Sequence, residues 1–200
     1  MCRLLETIKI LDGRAFNLEG HNRRANAARR LLFGTRDELD LGEFIQPERS
    51  APPGSLTRCR VLFRQSVERV EYHPYRLPAL SSLRVVRADD IEYRFKFENR
   101  AALAALLALR GTCDDVLIVR RGLVTDTTIS NVVFFDGERY ATPAEPLLEG
   151  TKRAILLEAG LIEAVRITVD DLGRYRKVYL INSLIDLEDD VSVPLSAVRT

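Results

Sequence analysis

The stretch "IEYRFKFENRAALAALLALRG", residues 91 to 111, changes period halfway along. Ile91, Tyr93, Phe95 and Phe97 alternate with Glu92, Arg94, Lys96 and Glu98, the two-residue repeat of a strand with one apolar and one polar face. From Asn99 onward the apolar residues crowd together. They predict a helix over Arg100 to Arg110, capped by Asn99 and stopped by Gly111. Lys96 is unusual within this stretch, because only four of the 30 basic residues, Lys9, Lys96, Lys152 and Lys177, are lysines. Arginine stays charged, whereas a desolvated lysine can lose its proton and act as an amine nucleophile. Taken alone, the alternation makes Lys96 a charge on a strand's polar face.

Working outward, Asp-Gly and Arg-Gly pairs punctuate the chain. "LLETIKILDGRAFNL" reads as a hairpin turning at Asp12-Gly13, "DDVLIVRRGLVTD" as one turning at Arg121-Gly122, and "NVVFFDGERYATP" as one turning at Asp136-Gly137. "EGHNRRANAARRLLFG" has helical spacing up to Gly34, with a second short helix expected over residues 37 to 46. Residues 46 to 55, "QPERSAPPGS", form a loop. Several antiparallel strands are expected between it and Phe97, a helix over Thr151 to Ala159 ending at Gly160, and an apolar strand beginning "VYLINSL".

Composition excludes several classes of function. With 200 residues and 46% apolar content there is enough material for a core, and a net charge of +1 gives no field to draw nucleic acid or an anionic membrane. The longest apolar run is about half the ~20 residues that span a bilayer, and no export signal is visible. Cys2, Cys59 and Cys113 are odd in number and far apart, so no disulfide framework or zinc site is expected and a cytoplasmic location is the simplest. His21 and His73 are the only histidines, and neither adjoins a nucleophile motif.

Two other stretches can do chemistry. "VTDTTISNVVFF" sets Asp126 and Asn131 around small hydroxylated residues, a turn able to hold a carboxylate among donors. "LLEGTKRAILLEAG" opens a helix at Gly150 and Thr151, where free N–H groups and the helix dipole favour phosphate. A lysine, a carboxylate, a helix-start phosphate site and an N-terminal arginine together answer the needs of pyridoxal phosphate: an amine for its aldehyde, an acid for its ring nitrogen, donors for its phosphate.

The ordered blocks "ETIKILDGR", "HNRRANAAR", "KFENRAAL", "GLVTDTTISNVVFF", "TPAEPLLEGTKRA" and "LINSL" resemble the class IV aminotransferases, the fold type IV pyridoxal-phosphate enzymes. That family includes branched-chain and D-amino-acid aminotransferases and 4-amino-4-deoxychorismate lyase. The resemblance implies an α+β or α/β chain of two domains, a small N-terminal one over residues 1–90 and a larger cofactor-binding one over 91–200, with pyridoxal 5'-phosphate between them. It implies a homodimer, no bound metal and a small amino substrate. Lys96 takes the place of the family's imine-forming lysine, and Arg24 that of the phosphate-binding arginine in the H-x-x-R helix motif. Asp126 takes the place of the acid facing the pyridine nitrogen, usually Glu, with Asn131 as the family's later Asn. Gly150, Thr151 and Ser183 fall on phosphate-binding positions, and Thr7 and Asn182 on positions near the substrate. The "NR" after Lys96 and the "INSL" motif favour a lyase-like enzyme over an amino-acid transaminase. The shorter acid and the short chain leave a third reading, a degenerate cofactor-binding or partner-binding protein. Arg76, Arg94 and Arg100 are candidates for a substrate carboxylate.

Overall fold

The structure is a computed structural model that describes residues 2–49 and 54–200. Residues 50–53 of the expected loop lie outside the described residues; just before them, Pro47–Arg49 make one 3-10 turn. The chain packs as two units, one formed by Met1–Leu77 with Phe95–Asn99 and the other by Pro78–Arg94 with Arg100–Thr200. A single boundary at 90/91 therefore does not describe the division: residues 95–99 return to the first unit.

In the first unit, β1 (Leu4–Leu11) turns into β2 (Arg14–Ala15) through Asp12 and Gly13, both at positive φ (50° and 68°), as an Asp-Gly hairpin requires. β3 (Thr57–Phe63) and β4 (Val67–Pro74) complete an antiparallel sheet in the order β2-β1-β3-β4. Leu4, Ile8 and Ile10 point to one face of β1, and α1 (Leu18–Phe33) covers them with Ala25 and Ala28. α1 stops at Gly34, whose φ of 67° lets its N–H bond the Arg30 carbonyl. The helix expected over 37–46 is reduced to a 3-10 turn at Leu41–Phe44. Side chains of α1 have taken the backbone groups it would need: Asn26 bonds both the N–H and the carbonyl of Leu39, and Asn22 accepts from the Leu41 N–H.

The strand expected over 91–97 is also corrected. Its burial alternates as read, with Ile91 and Tyr93 buried and Glu92 and Arg94 exposed, but residues 91–96 join no ladder. Within the first unit, the segment 95–99 is an extended strap laid along β1. The Leu5 N–H donates to the Lys96 carbonyl, the Glu98 N–H donates to the Arg3 carbonyl, and Phe97 bridges Leu4. Arg3 adds an ion pair to Glu98 at 2.6 Å. Alternation reports burial, which a strap shares with a strand; pairing depends on which edge is available.

The second unit contains two sheets. β5 (Leu83–Arg87) and β6 (Asp115–Arg120) run parallel, joined by a crossover carrying α2 (Ala101–Ala108), with β7 (Leu123–Val124) antiparallel to β6. α2 starts one residue later than expected, with Arg100 and not Asn99 at its N-cap. β8 (Asn131–Phe135), β9 (Tyr140–Pro143), β10 (Glu163–Val165), β11 (Lys177–Ile181) and β12 (Ser192–Pro194) make the other sheet, in the order β10-β9-β8-β11-β12. A short β13 (Val198–Arg199) borders β5. Leu83, Leu117 and Val119 of the first of these sheets and Val132, Phe134, Val178 and Leu180 of the second share one core. α3 (Thr151–Glu158) follows β9, with Gly150 at its N-cap.

Among the described residues no helix is long and apolar enough to cross a membrane, and no cluster of His, Cys, Asp or Glu could hold a metal ion.

Candidate active site

The first unit carries Thr7, Arg24 and Lys96. Period two puts Glu6 on the face of β1 that α1 covers and Thr7 on the opposite face, so Thr7 and Arg24 do not share a surface of this sheet. His21 and Arg24, three residues apart on α1, both reach Glu6. Arg24 donates from Nε to Glu6 Oε1 (2.8 Å) and from Nη2 to Oε2 (2.5 Å), and His21 Nδ1 lies 2.6 Å from Oε2. Burial pushes the Glu6 carboxyl up, but the Arg24 guanidinium and the His21 hydrogen bond outweigh it and bring it down to about 2. An ionised carboxylate only accepts, so Nδ1 of His21 carries the hydrogen. Burial lowers the histidine's pKa against the pull of Glu6, with Arg24 and Lys96 adding to the lowering. The ring is thus neutral, and its Nε2 finds no partner among the described residues.

Sequence reading missed Glu6. The signal was present: in "LLETIKIL" a carboxylate occupies the inward register of Leu4, Ile8 and Ile10, a position that demands a buried counter-charge.

The second unit carries Asp126, Gly150, Thr151, Asn182 and Ser183. β7 ends just before Thr125 and Asp126, and Asp126 bridges Asn131 at the head of β8, closing a turn whose hydroxyls Thr127, Thr128 and Ser130 are all buried. Thr127 Oγ1 accepts from the Ser130 N–H, and Thr128 Oγ1 donates to the buried Asp115. Arg100 Nη2 donates to the Thr128 carbonyl. Of the three arginines considered for a substrate carboxylate, Arg100 is therefore a brace for this turn.

Asp126 is 4% exposed. Its Oδ1 accepts from Asn131 Nδ2 (2.8 Å), and its Oδ2 accepts from the backbone N–H groups of Leu147 (2.9 Å) and Leu148 (3.0 Å). Burial dominates these neutral donors and pushes the carboxyl up to about 6. Asn131 Nδ2 also donates to the Leu148 carbonyl, tying the turn to the segment entering α3. A Cβ added to Gly150 would lie 1.8 Å from Asn131 Oδ1, so only glycine fits at this helix start. Asp126, Asn131, Leu147, Leu148 and Gly150 are one assembly, and the buried Thr151 continues it into α3.

Asn182 follows β11 and donates to Ser130 Oγ (3.0 Å), while its Oδ1 accepts from the Leu184 N–H. The structure thus uses as a turn anchor a residue read from sequence as a substrate contact. Ser183, half-buried, is next to it in the turn that Asn182 and Ile185 close.

The fold has known counterparts. Residues 60–187 match the family described as amino-transferase class IV. An uncharacterised protein of Haemophilus influenzae is 31% identical over 185 residues, which cover 92% of this chain and 98% of that one. A crystal structure from Haemophilus somnus 129PT, provisionally described as a 4-amino-4-deoxychorismate lyase, is 32% identical, with a TM-score of 0.84 over 93% of this chain and 98% of its own. The pyridoxal-phosphate-bound form of a hypothetical aminotransferase from Mycobacterium tuberculosis shares the fold at 20% identity, with a TM-score of 0.75 over 100% of this chain and 84% of its own. The chain belongs to the class IV aminotransferase family, with the mixed α/β fold of its fold type IV members. Its short length is shared with the two Haemophilus proteins, so the length sets it apart from neither.

Proposed function

We propose that this protein is a pyridoxal-phosphate enzyme acting on a small amino substrate, with 4-amino-4-deoxychorismate lyase-like chemistry. The observation that carries the reading is Asp126: a carboxyl buried at 4% exposure, met by neutral N–H donors and raised to about 6. Such a group favours a cationic partner, and a protonated pyridine nitrogen is one. Taken unit by unit the residues fit the cofactor: in the second, the helix start at Gly150 suits a phosphate and the buried Asp126 suits a ring nitrogen, and in the first, Lys96 supplies an amine.

When bound, pyridoxal phosphate supplies an aldehyde for the amine and a ring that withdraws electrons from the substrate's Cα. Lys96 would hold the aldehyde through its amine and would serve as the base for the proton at the substrate's Cα. Asp126 would hold a proton at the ring nitrogen. Asn131 and the Leu147 and Leu148 amides hold that carboxyl in place while leaving Oδ1 able to accept once more. Gly150 and Thr151 present backbone N–H groups at the start of α3.

Two observations favour a lyase over a transaminase: the "NR" pair after Lys96 and the 32% identity to the Haemophilus somnus protein. "INSL" now contributes less, because Asn182 anchors Ser130. Purified protein supplied with 4-amino-4-deoxychorismate should release pyruvate and 4-aminobenzoate without a keto acid. Turnover only when a keto acid is added would make it a transaminase, and a Lys96-dependent absorbance band without turnover of either kind would make it a binding protein.

The protein should act as a homodimer. Of the eight residues of α2, all Ala or Leu, only Leu103 is buried, which leaves an apolar helix suited to burial against a second copy.

A further inference from the structure

In α3 a guanidinium sits where two general rules disfavour one. Arg153 is 5% exposed, and it lies in the first turn of the helix, the end that repels cations. Its contacts give a reason for the placement. Side chains lean toward the N-terminus of their helix, which carries the guanidinium back over the segment that enters α3. There Nη2 donates to the carbonyl of Pro143, the last residue of β9 (2.8 Å), and Nη1 donates to Oε2 of Glu149 (3.2 Å), the residue before the Gly150 N-cap. The Glu149 side chain is 75% exposed, so this ion pair does little to offset the burial, and Arg153 Nε has no hydrogen-bond partner among the described residues. One cation thus holds both ends of segment 143–149, and Leu147 and Leu148, whose N–H groups donate to Asp126 Oδ2, lie between those ends. The donors that bond Asp126 are neutral, whereas the Arg153 charge draws its carboxyl down against the push of burial.

We infer that Arg153 is a positioning residue for the ring-nitrogen site: it does not touch the cofactor but spans segment 143–149 and so holds the Leu147 and Leu148 amides that aim Asp126. This rests on the proposed pyridoxal-phosphate reading. A carboxylate gripped at one oxygen by two fixed amides cannot turn, and it presents its other oxygen in one direction. Without Arg153 the segment keeps Ala144 bonded to the Val165 carbonyl and Asn131 bonded to the Leu148 carbonyl, but it loses the link between the end of β9 and the start of α3. Two consequences act in the same direction. The amides slacken their hold on Asp126, and the buried carboxyl, with a cation removed from its surroundings, is less favourable as an anion. Both weaken its grip on a protonated ring nitrogen, the one atom of the cofactor through which Asp126 acts.

The test compares pyridoxal phosphate with its 1-deaza analogue, in which a C–H replaces the ring nitrogen, by absorbance titration of the apoprotein. In wild type a Lys96-dependent band with both ligands, and a preference for pyridoxal phosphate on the order of tenfold that Asp126→Asn abolishes, establish the parent reading. Absence of the band, or of a preference that depends on Asp126, overturns that reading and this inference with it. Arg153→Met should then cut the preference by about threefold or more, and adding it to Asp126→Asn should cut it no further. In the apoprotein the same variant should speed exchange of the Leu147 and Leu148 amides, while the Leu5 amide of the first unit keeps its wild-type rate. Equal weakening of both ligands would mean a merely structural Arg153, and unchanged exchange at Leu147 and Leu148 would mean that it does not hold the amides; either result overturns the inference. Should Arg153→Met fail to fold, Arg153→Lys, which keeps the charge but not the planar fork that reaches both acceptors, carries the same comparison: a reduced preference for the ligand with the ring nitrogen supports the assignment and an unchanged one contradicts it.

Discussion

Glu6 and Asp126 are both buried carboxyls, yet their surroundings drive them in opposite directions. Glu6 falls from 4.5 to about 2, so the folded state binds its proton less tightly than the unfolded chain does. Its stabilisation is present above about pH 4.5 and is lost as pH falls toward 2. Asp126 rises from 3.8 to about 6, so its protonated form favours folding and stability is lost as pH rises through that window. Each effect is on the order of 3 kcal/mol. Amide exchange on the apoprotein should therefore show the sheet around Glu6 opening more readily at pH 3 than at pH 6, and the Leu147 and Leu148 amides opening more readily at pH 7 than at pH 4. Parallel profiles for the two regions would contradict the assignment. Gly150→Ala tests a contact and not a charge. Its methyl would displace Asn131, loosen Asp126 and cost at least about 2 kcal/mol in urea unfolding, whereas Gly173, with open space where a methyl would sit, should tolerate Ala within about 0.5 kcal/mol.

Among the elements, the turn from Asp126 to Asn131 does most to build the site. Asn131→Ala would remove a donor from Asp126 and from the Leu148 carbonyl together, leaving both buried groups short of a partner at a cost of about 2 kcal/mol or more. Arg100→Gln would cost less, because Arg100 is exposed, but should speed exchange of the Ser130 amide on the same turn. The sequence made this turn legible, since Asp, hydroxylated residues and Asn in a short run satisfy one another locally. It also made the hairpin at Asp12-Gly13 and the stop at Gly34 legible, because positive φ is a local demand. What could not be read was non-local. The strap at 95–99 depends on the edge of β1 about ninety residues earlier, and Asn182 depends on Ser130 on another strand connection. The helix expected over 37–46 failed because Asn22 and Asn26 of α1 claimed its backbone.

At the scale of the whole molecule, the division into two units assigns Lys96, Arg24 and Thr7 to one and Asp126, Gly150, Thr151, Asn182 and Ser183 to the other. Family membership was legible in six ordered blocks, whereas the course of residues 95–99 was not, because contact between distant segments leaves no periodic trace. If α2 is the face between copies, Ala105→Glu should shift the protein from dimer toward monomer in sedimentation velocity while its circular dichroism stays unchanged, since Ala105 is exposed in the single chain. The most direct test of the central claim is the visible absorbance spectrum of the protein incubated with pyridoxal phosphate, wild type beside Lys96→Ala. The account predicts a visible imine band in wild type and its loss in the variant; a spectrum the same in both would contradict it.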